Sequence, residues 1–351
     1  MRTGNTVVLS NGAAGEVTAA TATTLTVTLS TQPTSTGNLT AVVTSFGLSS
    51  GAPVVVAAVV AAPAASVAYI PNVLGNTVTE CAIAADGSIT SCVVPPTPSG
   101  GWNLALPVAI AVANNIAYVT NDNNVVTQCT ITAGSITACA VPTISGAWQI
   151  NTARSMAVYN NVIYIPNYVT NSVTQCITDG DGSITSCNVP NIAWNLGTPT
   201  GIAIVNNTAY ILNVISTGPD VQGITECTID GSGNITSCVI PPTPSTGWLV
   251  SSAQQIVIVD NIGFIVNGDN VVQCSMTNGS FTSCAVPPVP NWAFSGGYGI
   301  AIQNNYAYVI SFGPSSVTRC TIESGTIVSC ALTFPPGGFN LNYPSDIAIA
   351  S

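Results

Sequence analysis

The chain has no histidine and no lysine, and arginine occurs only at Arg2, Arg154 and Arg319. Charged residues fill 5% of its 351 positions, against about a quarter in ordinary globular chains. Thirteen acids against three bases leave a formal net charge of −10. Each shortage excludes something. Without a basic footprint nothing releases counterions from nucleic acid, so that partner is excluded. Anionic membrane surfaces are excluded for the same reason. Without histidine the usual general base at neutral pH is missing, and zinc loses a common ligand. The apolar stretch Ala52 to Ala62 is short, β-branched, and interrupted or bounded by Pro53 and Pro63. It reads as a strand running into a linker, and no membrane insertion is expected. Solubility therefore rests on Ser, Thr, Asn and Gln.

Cysteine, by contrast, is plentiful and ordered. Six pairs follow one another: Cys81 with Cys92, Cys129 with Cys139, Cys176 with Cys187, Cys227 with Cys238, Cys274 with Cys284, and Cys320 with Cys330. Their first members recur at intervals of 48, 47, 51, 47 and 46 residues, which marks one supersecondary unit copied six times. Pairing residues inward from each couple leaves short glycine-bearing loops, as a hairpin requires. The longer spacing predicts two-residue loops at Asp86-Gly87, Asp181-Gly182 and Ser232-Gly233. The shorter one predicts three-residue loops at Ala133-Gly134-Ser135, Asn278-Gly279-Ser280 and Ser324-Gly325-Thr326. Directly opposed residues of an antiparallel pair lie within disulfide reach. The register thus favours six intra-hairpin disulfides over zinc thiolates or free core cysteines, and with them an oxidising compartment: extracellular space, cell surface or periplasm.

Each copy reads as four strands. In the fourth, Gly201 to Val205 alternates and ends at Asn206-Asn207, Ala209 to Asn213 follows, and the cysteine hairpin completes the set. The Asn-Asn or Asp-Asn turn recurs at Asn114-Asn115, Asn160-Asn161, Asp260-Asn261 and Asn304-Asn305. Four strands per unit at this length is the pattern of a β-propeller blade. The first copy, from Ser66, lacks its first strand, whereas the chain ends on a lone first strand at residues 346–350. One terminus supplies what the other lacks, and the expectation is a closed six-bladed ring over residues 66–351.

Tyr118-Val119-Thr120-Asn121 and its variants Tyr69 to Asn72, Tyr164 to Asn167, Tyr210 to Asn213 and Phe264 to Asn267 resemble the repeats of YVTN-family β-propellers. The sixth copy departs, with Tyr308 to Ser311. The resemblance implies a propeller fold, often on secreted or surface bacterial proteins, and is nearly silent on activity.

Residues 1–60 share none of this. Alternating segments separated by Gly and Ser predict a small Ig-like β-sandwich, similar to the later strands of an IPT/TIG-type domain, joined through a stiff linker at residues 61–65. No leader peptide is legible at Met1 to Gly4, and the family's opening strand is missing from the pattern. Two explanations stand: a truncated start, or a strand donated by another copy.

No constellation for catalysis emerges. The acids are scattered, Asp346 is the only one at the start of a first strand, and no cofactor or metal is expected. Asp179-Gly180-Asp181-Gly182 resembles part of a calcium loop without its remaining ligands. The column before each first cysteine (Glu80, Gln128, Gln175, Glu226, Gln273, Arg319) reads as solvent-facing. Trp102, Trp148, Trp194, Trp248, Trp292 and Phe339 recur in the loops leading from blade to blade. They read as wedges between blades, or alternatively as six stacking platforms for glycans. The sequence alone favours a non-enzymatic structural or adhesive protein, with itself or surface glycans and proteins as partners, assembled into filaments by strand donation. Its alternatives are a glycan-binding propeller and, second, a propeller hydrolase or lactonase.

Overall fold

The computed structural model describes residues 5–21, 23–31, 33, 37–59, 66–214, 223–332 and 334–350. The expected linker at 61–65 and Arg2 lie outside them. The chain divides into two compact units, Met1–Ala64 and Ala65–Ser351.

In the first unit a long strand, Gly37–Ser45, pairs with Asn5–Leu9 on one side and with Leu48–Ser49 and Val54–Val59 on the other. A separate hairpin joins Ala14–Ala20 to Leu25–Thr31. Aliphatic side chains of both sheets, among them Val7, Leu25, Val27, Leu39 and Val43, line a cavity of about 310 Å³.

The second unit is a ring of six four-stranded antiparallel sheets. Its blades are all-β, and one disulfide locks the outer hairpin of each. The bonds join Cys81 to Cys92, Cys129 to Cys139 and Cys176 to Cys187 in the first three blades. Cys227 is joined to Cys238, Cys274 to Cys284 and Cys320 to Cys330 in the other three. In every blade the two cysteines stand directly opposite each other in the ladder, as the spacing requires. The bonds imply an oxidising environment. The first strands of all six blades line a central channel. The ring closes as the complementary ends require. Ala348–Ala350 pairs with Ser66–Asn72, with Ala348 opposite Tyr69 and Ala350 opposite Val67, so the last residues give the first blade its missing strand. Between blades, side chains of neighbours form shared cores. At the seam, Ala68, Ile70 and Cys81 of blade one pack with Tyr308, Ile310 and Val317 of blade six.

The Asn-Asn and Asp-Asn turns take the predicted tight form. Asn114 and Asn115 both sit at positive φ (51° and 59°), as do Asp260 and Asn261 (50° and 61°), the conformation that two-residue hairpins need. The cysteine hairpins reverse the expected loop lengths. Ala82 opposes Ser91 but Ile83 opposes Ile89; Thr130 opposes Ala138 but Ile131 opposes Ile136. This one-residue bulge beyond each disulfide changes the parity of the loop. The longer hairpins close over three residues, such as Ala85-Asp86-Gly87 with Gly87 alone left-handed; the shorter close over two, such as Ala133-Gly134 at φ 51° and 81°. Five of the bulged residues are threonines. The hydroxyls of Thr90, Thr137, Thr185, Thr236 and Thr282 donate to carbonyls of the opposing strand at 3.2–3.4 Å.

Polar clasps run from blade to blade. Tyr69, Tyr118, Tyr164 and Tyr210 donate their phenolic hydrogens to Gly134, Gly182, Gly233 and Gly279 of the next hairpin at 2.6–2.9 Å. Tyr308 closes the circle onto Gly87 at 2.8 Å. Here the column before the first cysteine is corrected: it faces the neighbouring blade, because strand alternation turns it the same way as that tyrosine's contacts. Gln128 donates to the Gly182 carbonyl at 2.9 Å and accepts from the Ile184 amide at 3.0 Å. Gln175 and Gln273 repeat both bonds. Glu80 accepts from the Ile136 amide and the Ser135 hydroxyl at 2.6 and 2.9 Å. Glu226 has the same place, but its Oε1 is buried without a partner, and burial raises its pKa. A carboxylate cannot donate to a glycine carbonyl, whereas glutamine can. Glu226→Gln is therefore expected to stabilise the ring by about 1 kcal/mol at pH 7. Thermal unfolding checks this, and a lower midpoint contradicts the clasp.

Candidate functional site at the collar of the ring

Every inner strand starts on the same face of the ring, opposite the Asn-Asn turns. Five positions ahead of each turn lies one residue per blade: Ala109, Ser155, Gly201, Gln255, Gly299 and Asp346. This column forms a collar at one end of the channel. Asp346 is 2% exposed. Its Oδ2 accepts the Ile110 amide of blade two at 2.9 Å, and its Oδ1 accepts the Ile347 amide at 2.8 Å. The side chain of Gln255, from blade five, also hydrogen-bonds the carboxyl. Gln255 Oε1 in turn accepts the Ile300 amide at 2.6 Å.

Blade six lies between the two, and only glycine fits there. A Cβ on Gly299 would stand 2.9 Å from the Asp346 Cα and 3.0 Å from its Oδ1. Ser155 is buried too, and its hydroxyl has no hydrogen-bond partner. Below the collar the channel holds a cavity of about 350 Å³, lined by Gln255 and by Ile, Ala, Val and Met side chains of the six inner strands.

Removal from water dominates the electrostatics. Burial pushes the Asp346 carboxyl from 3.8 up to about 7, although its hydrogen bonds to Ile110, Ile347 and Gln255 pull the other way. A carboxyl so placed is part acid and part carboxylate near neutrality, the condition suited to proton transfer. Among the described residues no group of three His, Cys, Asp or Glu side chains is spaced to hold a metal ion. Asp179 serves its own turn, accepting the Asp181 and Ser183 amides at 3.0 and 2.8 Å.

The sequence singled out Asp346 by position, but not Gln255 or Ser155. The missing signal was the collar column, visible only once the six copies are aligned on their turns. The recurrent aromatics are not gathered at one site. Each packs at a core shared by two neighbouring blades, with the disulfide of the blade whose inner strand follows it in the chain. Trp248 and Phe339 are 8% and 4% exposed, and Trp102, Trp148, Trp194 and Trp292 are half-buried. The residue after each is left-handed, from Asn103 at φ 48° to Ala293 at φ 56°. Asn103, Asn195 and Asn340 then donate to the carbonyls of Cys139, Cys238 and Cys92 at 2.7–2.9 Å.

No family model matches the chain, and no curated protein matches its sequence. Solved structures do. A chain of a nidogen–laminin complex superposes with a TM-score of 0.56 at 10% identity, over 82% of this chain and 98% of that one. A candidate 6-phosphogluconolactonase of Bacteroides fragilis gives 0.55 at 12% identity, over 83% and 99%. The periplasmic gluconolactonase of Pseudomonas aeruginosa gives 0.51 at 13% identity, over 82% and 99%. The fold is a β-propeller. The sequence-based preference for a non-enzymatic structural, adhesive or filament-forming protein is overturned. The finding against it is that solved structures of similar fold include a candidate 6-phosphogluconolactonase and a periplasmic gluconolactonase.

Proposed function

We propose that the propeller hydrolyses cyclic esters, as a lactonase does, at the collar, with Asp346 as general base. One observation carries this reading: a desolvated carboxyl held by Gln255 at the point where Gln255 lines the channel cavity. The cavity's volume falls in the lower part of the range for ligand pockets, about 300–1,000 Å³. The step needs no group beyond those present. The Asp346 carboxylate takes a proton from water as the water oxygen bonds to the ester carbonyl carbon. The carbonyl oxygen becomes negatively charged, and the Ser155 hydroxyl and Gln255 amide are the collar's donors for that charge. The ring C–O bond then breaks, the proton passes from Asp346 to the departing oxygen, and a hydroxy acid leaves. The gluconolactonase neighbours support the substrate class, and the apolar channel walls suit the uncharged face of a ring.

In the same reading the Tyr-x-x-Asn column supports kinship with YVTN-type repeat propellers, the alternating strands of the first unit support an IPT/TIG-like module, and the disulfides support a site on or outside a bacterial cell. The test is hydrolysis of glucono-δ-lactone followed by pH-stat, with the spontaneous rate subtracted. Enzymatic turnover is expected to rise with pH through about 7. Asp346→Asn, with all six disulfides formed, is expected to lose about 100-fold or more. A wild type no faster than buffer, or a fully active variant, contradicts the assignment.

A further inference from the structure

We infer that the face of the ring around the collar recognises a carboxylate-bearing sugar ring, a hexuronate, with Tyr298, Phe312 and Tyr343 as its stacking platform and Arg154 as its anion-binding group. The inference rests on the collar being the reactive site and names the carboxylate-bearing class of sugar ring held there; a hexuronate carries no cyclic ester and so probes that recognition without reacting.

Two repeat positions border the collar: the residue just ahead of each collar position, and the residue following each second strand. In blade six they hold Tyr298 and Phe312, whose rings stack with centroids 5.0 Å apart and planes 27° apart. In blade three they hold Arg154 and Tyr168, with the guanidinium carbon 5.1 Å from the ring centroid. The other blades have Val108 and Asp122, Thr200 and Val214, Gln254 and Gly268, and Ser345 and Val73, none of which can stack. Blades three and six stand opposite each other in a ring of six. An aromatic platform and a cation therefore flank the same opening.

The platform is extended by Tyr343, whose ring meets Phe312 edge-on at 5.0 Å and is 41% exposed. Tyr343 occupies a left-handed backbone position, φ 55°, just before its inner strand. Its counterpart in blade six is Gly296, at φ 60°. Leu106, Thr152 and Thr198 hold the same left-handed position in blades two to four, at φ 50°, 55° and 48°, so the turn belongs to the repeat and what sets Tyr343 apart is its exposed ring.

Arg154 is exposed, and among the described residues no carboxylate pairs with it. Of the two other cations, Arg319 donates to the Asp86 carbonyl and lies over Tyr306, and Arg2 is outside the described residues. The cation–π contact with Tyr168 restrains the guanidinium, whose fork of donors suits bidentate capture of an oxyanion. The protein's charge of −10 selects among anions. A single arginine offsets the one charge of a carboxylate, whereas a phosphate monoester brings about −1.5 to −2 and is repelled. The hydroxyl and amide side chains of Thr152, Ser252 and Gln254 occur around the same opening. They suit the hydroxyl edge of a sugar whose C–H face lies on the aromatic rings.

The test titrates the full chain with D-glucuronate at low ionic strength, read by saturation-transfer NMR, with D-glucose and D-glucose 6-phosphate as parallel probes. Glucuronate is expected to bind more tightly than either. Arg154→Gln is expected to weaken glucuronate about tenfold or more and leave glucose unchanged, with Arg154→Lys between the two. Tyr343→Ser is expected to weaken both sugars. Glucuronate binding that is absent, unchanged in Arg154→Gln, or weaker than that of glucose 6-phosphate overturns the inference. Binding is also read in Asp346→Asn. Saturable glucuronate binding in a protein that hydrolyses no lactone would refute the hydrolase reading and leave the recognition surface standing. Lactone hydrolysis without glucuronate binding would do the reverse.

Discussion

The unfolding free energy of the ring is expected to fall by about 4 kcal/mol as pH rises from 4 to 7, at about 1.4 kcal/mol for each unit by which Asp346 is shifted. The sign follows from which state holds the proton. Well below its ordinary value of 3.8 the Asp346 carboxyl is protonated folded and unfolded, and it costs nothing. Between its ordinary value and about 7 the unfolded chain loses the proton while the folded ring keeps it. Unfolding then releases a proton, so stability drops with pH and levels off once both states are ionised. Glu80 and Glu226, raised mainly by burial, act in the same direction. Asp86 and Asp230, lowered mainly by hydrogen bonds within their own turns, oppose them from the surface. Denaturant melts at pH 4, 5.5, 7 and 8 check this. Asp346→Asn is expected to flatten most of the slope, whatever its effect on absolute stability, because the titrating group is gone. A stability that rises steadily from pH 4 to 7 would contradict the burial of this acid. The protein would thus tolerate a cost at neutral pH at the position proposed to do its chemistry, a common trade between stability and activity.

Truncation after Ser345 is expected to open the ring. It removes the strand that pairs with Ser66–Asn72, and with it Ile347, which is buried in the core shared by blades one and six. Ile349 packs against that same core, and Ala348 and Ala350 against the core of blades one and two. Two isoleucines at roughly 2 kcal/mol each, plus the lost ladder bonds, put the loss near 4–6 kcal/mol. The inner edge of blade one would also lie open. The expected result is a large fall in the thermal midpoint and new cleavage in blade one by an elastase-type protease. A synthetic peptide of residues 344–351 should restore part of the protection by adding back the strand. A truncated chain with the melting behaviour of the full one would refute closure at this seam.

Repeat spacing made most of the architecture legible before any coordinate was known. The cysteine period marked the blades, the Asn-Asn pairs marked the inner hairpins, and the mismatched ends marked the seam. Each is a local pattern with a strong backbone cause. What escaped depends on parity or on distance. A single bulged residue such as Thr90 or Thr137 exchanges two-residue for three-residue loops, and no spacing rule counts it. The clasp column was misjudged because alternation tells that Gln128 and Cys129 face opposite ways, but not which face meets another blade. Gln255 and Asp346 are 91 positions apart in sequence; their pairing needs the circle to close. Tyr298, Phe312 and Tyr343 break the repeat instead of following it, so a search for recurring columns passes over them and finds the six aromatic wedges.

The most direct measurement is a pH titration of the Asp346 side-chain carboxyl by carbon-13 NMR, in protein labelled at aspartate, with Asp346→Asn used to assign the resonance. The expected midpoint is near 7 in the closed ring, falling to that of a free aspartate when the ring is unfolded in denaturant. A midpoint near 4 in the intact ring would mean that the carboxyl is solvated, and the collar would then hold neither the acid nor the site described.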